Sequence, residues 1–157
     1  MPVALLFYDV ITSVHVMGVV VAFGALFAYP ALVPWVRRNH PRAMPAVHRA
    51  QLRVDRLVIG PAMAIVLLAG IYLASDRELW DQMWVSIPML ILLIVGGMAG
   101  MLFIPTERRL AELADRDLEK GDQLGPEYDA ALQRLQLAQW VAALLVLVAI
   151  FLMVAKP

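Results

Sequence analysis

The chain has 157 residues, 62% of them hydrophobic, and a mean hydropathy of +0.74. A soluble domain carries about 45–50% apolar residues, so the excess, gathered in four long runs, points to a membrane protein. The formal net charge is zero, which gives no global attraction to nucleic acid, and the lack of Cys excludes disulfides, thiolate nucleophiles and Cys-ligated zinc or iron–sulfur centres.

A spanning helix needs roughly 17–25 mostly apolar residues. The opening "MPVALLFYD" has no Lys or Arg, so it lacks the basic region of a secretory signal, and the first run is expected to be a retained helix. That run covers about residues 9–32 and is closed by Pro30 and Pro34. The others cover about 57–74, 84–103 and 138–154. The runs are continuous rather than alternating, which leaves helices as the solution in lipid. The expected fold is all-α: one four-helix transmembrane domain over residues 1–157, with a helical hairpin before the fourth span.

Eleven of the 13 Lys and Arg fall in the loops after the first and third runs; Arg77 and Lys156 are the exceptions. The positive-inside rule puts both loops in the cytoplasm and both termini outside, as in a bacterial inner membrane. Tyr8, Tyr72, Trp80 and Trp84 then fall at the outer interface, and Trp35 and Trp140 at the inner one. "AVHRAQLRVDRL" extends the second span inward without a break. Arg49, Arg53 and Arg56 share a helical face; they either grip lipid headgroups or act as a stop signal that sets topology, and the second reading is preferred.

In the third loop, Lys120-Gly121 fits a helix end, and Gly125-Pro126 with Glu127 and Asp129 fits a new start. Leu110, Leu113 and Leu118 on one arm face Tyr128, Ala131 and Leu135 on the other. Such a hairpin could dock a partner; a solvated connector is the preferred reading.

Small residues mark helix seams in lipid. His15, Gly18, Ala22, Ala25 and Tyr29 fall within roughly 80° of one another on the first helix. His15 therefore lies on the packing stripe. The third span carries Met89, Leu93, Gly96, Gly97 and Gly100, with a GxxxG spacing. His15 and Met89 come to about the same depth, and Tyr72 and Met153 lie near the outer ends of their spans. A polar, sulfur-bearing pocket in the outer half follows. Imidazole and thioether ligate haem iron or copper, and an intramembrane ionisable group is a functional candidate by default. In the bland alternative, His15 donates to a backbone carbonyl or to Thr12 and only joins helices. His40 and His48 lie at the other end of the molecule. No Ser/His/Asp set, carboxylate pair or phosphate loop stands out.

"VHVMGVVVAFGALF" resembles the "LHVLG…WFGG" first helix of an uncharacterised bacterial family of four-helix integral membrane proteins. "RVDRLVIGPAMAIVLLAGIYLA" continues the pattern through Arg53, Pro61 and Gly70, and "FIPTERRLAEL" closes the third span in the same way. A wider similarity is to CopD-type copper-resistance proteins and to HemJ-type protoporphyrinogen oxidases. The HemJ type implies a histidine working with haem and an intramembrane lysine; the four spans here contain no Lys. What the resemblance implies is one ligand position, His15.

The sequence thus points to a protein of the lipid bilayer that holds haem b or copper through His15, with Met89 or Tyr72 as second groups. The alternative is a non-catalytic structural or accessory subunit, partnered by a second copy or a larger membrane complex. No residue is singled out as catalytic.

Overall fold

A computed structural model describes residues 3–156, with side chains described from Phe7 onward. Four long helices follow one another: α1 (Val3–Asn39), α2 (Pro41–Asp76), α3 (Met83–Lys120) and α4 (Pro126–Ala155). All four are long and apolar enough to cross a membrane, and no strand occurs among the described residues. The fold is the expected all-α one.

The helices outrun the apolar stretches that nucleate them. Pro30 and Pro34 close the first apolar run, yet α1 continues through both to Asn39. Its last turn carries Arg37 and Arg38, cations at the negative end of the helix dipole. The third span likewise runs on into the polar segment after Phe103, so what reads as a separate hairpin arm is the end of α3.

Both α2 and α3 contain one π turn, Asp55–Ile59 and Ala99–Phe103. Each immediately precedes an X-Pro pair, Gly60-Pro61 and Ile104-Pro105. A helical proline donates no N–H, and its ring crowds the carbonyl four residues back. The widened turn relieves that crowding: Gly60 N–H reaches Asp55 O, and Ile104 N–H reaches Ala99 O, five residues back. At Gly60 an added Cβ would sit 3.2 Å from Asp55 O. Each π turn adds one residue to the helical register, which rotates the chain beyond it by about 100°.

Two layers of packing result. Near the termini, α1 packs on α2, and α3 on α4. Gly18 sets the first seam, since a Cβ there would meet Val66 Cγ2 at 2.9 Å. The third-span glycines behave differently from the expected seam. Gly96 touches Met63, but an added Cβ at Gly97 or Gly100 meets nothing within 4 Å, and Leu93 is exposed. Together with Val20, Leu68, Leu144 and Phe151, that face forms the apolar exterior.

At the Arg-rich end, α3 packs against α2 and α4. Met44, Leu110, Ala114, His48 and Tyr128 are fully buried there. The segment after the third span is therefore a packed layer, and the solvated connector preferred from sequence is corrected. Leu110, Leu113, Tyr128 and Leu135 are buried in one core, as their spacing predicts. Its turn is tied by Gly125 N–H donating to Asp117 at 2.8 Å. That bond, and then Arg116, hold the Asp117 carboxyl below its ordinary value. Pro126, Glu127 and Asp129 open α4 as the sequence predicts.

Candidate functional site

A cavity next to the chain termini holds about 300 Å³. His15, Met89 and Met153 line it, three of the four groups expected to share a pocket, with Thr12 beside them. Tyr8, Trp84 and Lys156 lie at its rim, with the Lys156 ammonium 5.1 Å from the Trp84 ring centroid. The Arg77 guanidinium stands 4.4 Å over the Tyr8 ring. Tyr72 is not among the lining residues; it is exposed, and its ring meets Phe7 edge-on at 5.6 Å.

His15 is seated by glycine. Its Nδ1–H donates to Val66 O at 3.0 Å, bridging α1 and α2. The ring lies over Gly70, where a Cβ would come within 3.3 Å of Cε1 and 4.0 Å of the Met89 methyl. A side chain larger than glycine at that turn would crowd the imidazole, and the Met89 methyl approaches the same point. Because a carbonyl only accepts, the bond to Val66 fixes the tautomer. The Nε2 lone pair is left, and no described group bonds it.

His48 is occupied differently. Its Nδ1–H donates to Gln51 Oε1 at 3.0 Å, and Nε2 accepts from the Tyr128 hydroxyl at 2.8 Å. Both nitrogens are spent inside the core. His40 is exposed and meets Trp35.

Of the basic face on α2, Arg49 is paired with Asp115 at 2.7 Å. Arg53 and Arg56 are exposed, with no ion pair among the described residues. No group of three or more His, Cys, Asp or Glu gathers as a metal site among the described residues.

A second cavity of about 100 Å³ lies toward the Arg-rich end. It contains a carboxylate pair that the sequence did not single out: Asp55 at the head of the first π turn and Glu107 just past the second. Both carboxyls face this one small space. Tyr29 and Gln139 line the same space. Glu107 is 1% exposed, and its Oε2 has no partner. Phe23 is common to the linings of both cavities.

The model of a family described as a predicted integral membrane protein, DUF2269, matches residues 9–157, nearly the whole chain. The chain belongs to this family. It is therefore an integral, multi-pass membrane protein in contact with a lipid bilayer, as the four apolar helices require. No curated protein and no solved structure matches it.

Proposed function

We propose that this chain is a membrane-embedded binding protein that holds copper, as Cu(I), through His15 Nε2 with the thioethers of Met89 and Met153. The observation that carries this reading is the tautomer of His15. Metal-ligating imidazoles characteristically donate their other N–H to a carbonyl or carboxylate, and Val66 O takes that role. One imidazole with two thioethers is a donor set suited to Cu(I). The resemblance of this helix to the CopD type points the same way. Haem b fits less well: about 300 Å³ is at the small end of ligand pockets and does not take a porphyrin.

The whole chain acts as one domain of a bacterial inner membrane, with both termini outside, so the cavity opens to the outer side. Eleven of 13 basic residues on the opposite side support that orientation. Thiol labelling tests it cleanly, because the chain has no Cys. Asp122→Cys is expected to resist an impermeant reagent in intact cells and to react once they are lysed.

Metal analysis and X-ray absorption on protein purified from copper-replete cells test the binding. Stoichiometric copper, lost in a folded His15→Ala, is the expected result. A metal-free protein overturns it. The second reading is an accessory subunit in which His15 only joins α1 to α2. The bond to Val66 favours this reading, and a stable complex with another membrane protein that survives His15→Ala would support it.

A further inference from the structure

We infer that Asp55 and Glu107 form a proton-exchange site: one proton is held between the two carboxyls, in exchange with the Arg-rich end, on a path that Phe23 closes toward the His15 cavity. The inference does not depend on His15 holding a metal.

Carboxylates only accept hydrogen bonds, so two carboxyls facing one small cavity can bond to each other only through a proton. The groups that face the pair are Tyr29 from α1 and Gln139 from α4, besides the two acids from α2 and α3. No Arg or Lys lines the cavity, and the sequence neighbours Arg56 and Arg108 are exposed. Two ionised carboxylates there, Glu107 buried and Asp55 half-buried, would face one cavity without a counterion, which disfavours the doubly charged state. A proton supplies the neutralisation that an ion pair supplies elsewhere in this protein.

One atom of the pair itself points to a ligand. Buried polar atoms are nearly always bonded, yet Glu107 Oε2 has no partner in its cavity. Gln139, 4% exposed, lines the same cavity and presents an amide to it. A sodium ion needs five or six oxygens, more than these four side chains arrange. A proton needs one donor and one acceptor. The adjacent π turns fit as well, since such turns recur at functional sites.

The His15 imidazole lies beyond Phe23, which is 7% exposed and lines both cavities. His15 and Phe23 are eight residues apart on α1, about 12 Å along the axis. Apolar constrictions gate membrane pathways. In the exchange, the O–H bond of the protonated carboxyl breaks and its proton passes to water at the Arg-rich end; the pair gains one negative charge, and no electron moves.

The test uses full-length protein in liposomes. Infrared difference spectra at neutral pH are expected to show a protonated-carboxyl band that shifts in heavy water. That band is expected to be lost in Glu107→Gln and in Asp55→Asn; either variant suffices if the other does not fold. Phe23→Ala is expected to admit proton flux driven by a potassium diffusion potential, and adding Glu107→Gln should abolish it. The inference is overturned by any of three results. They are a wild type with no protonated-carboxyl band, a Phe23→Ala flux that ignores Glu107→Gln, or a band displaced by sodium at constant pH.

Discussion

Tyr128 and His48 lock α4 to α2: the hydroxyl donates to Nε2 over 2.8 Å, and neither residue is exposed. The imidazole's other nitrogen is bonded to Gln51, so the three side chains form a closed polar chain in an otherwise apolar layer. Tyr128→Phe keeps the packing and deletes the donor. It leaves a buried acceptor unpaired, at a cost of about 1–3 kcal/mol. Denaturant titration in detergent, followed by helix content, is the measurement. An unchanged midpoint would show that water replaces the hydroxyl.

The same histidine makes stability depend on pH. Burial pushes its imidazole down to about 4, against a smaller opposing effect of the Gln51 bond. In the unfolded chain it protonates near 6.5. Between those values the unfolded state binds the extra proton, so stability falls as pH falls, by at most about 1.4 kcal/mol per pH unit. Above 6.5 this group contributes no slope. Unfolding midpoints across the window are expected to drop toward acid, and His48→Gln is expected to flatten the curve.

Two glycine-to-alanine changes are expected to have opposite signs. At Gly18 the new methyl meets Val66 Cγ2 at 2.9 Å, a stiff β-branched side chain in a packed seam. The cost of such overpacking is about 1–3 kcal/mol. At Gly97 nothing stands within 4 Å, so Ala gains its helix propensity, about 0.5–1 kcal/mol over Gly. Thermal midpoints of the two variants in one detergent decide it.

Glu78 has φ 52, in the left-handed region, in the turn after α2. A side chain there costs about 1–2 kcal/mol that glycine avoids. Glu78→Gly is expected to raise the thermal midpoint, and a lower midpoint would mean the carboxylate has a structural role.

Legibility of the fold and the site followed physical reach. The spans were readable because lipid imposes one requirement on every residue of a run. The α1 stripe was readable because His15, Gly18 and Ala22 keep one angular period, and Gly18 and Ala22 are buried. The third-span glycines misled because small size permits close approach without requiring it; Gly97 and Gly100 face outward. Asp55 and Glu107 were unreadable for a different reason. Each sits among arginines, in "RVDRL" and "TERRL", and looks like a solvated end. Their meeting depends on two register changes that no regular periodicity contains. The signal available was the pair of prolines, Pro61 and Pro105, each close to an acid.

Those widened turns have a consequence for how the molecule can change. In an ordinary helix, losing one residue swings everything beyond it by about 100° and ruins a packed face. Within 55–59 or 99–103 the same loss would return the helix to plain α phase. It would part the two acids while the α1–α2 seam at Gly18 kept its partners. The π turns act as gearing between two ends that are phased separately. The polar end can be retuned by single-residue insertion or deletion without disturbing the part that sits in lipid.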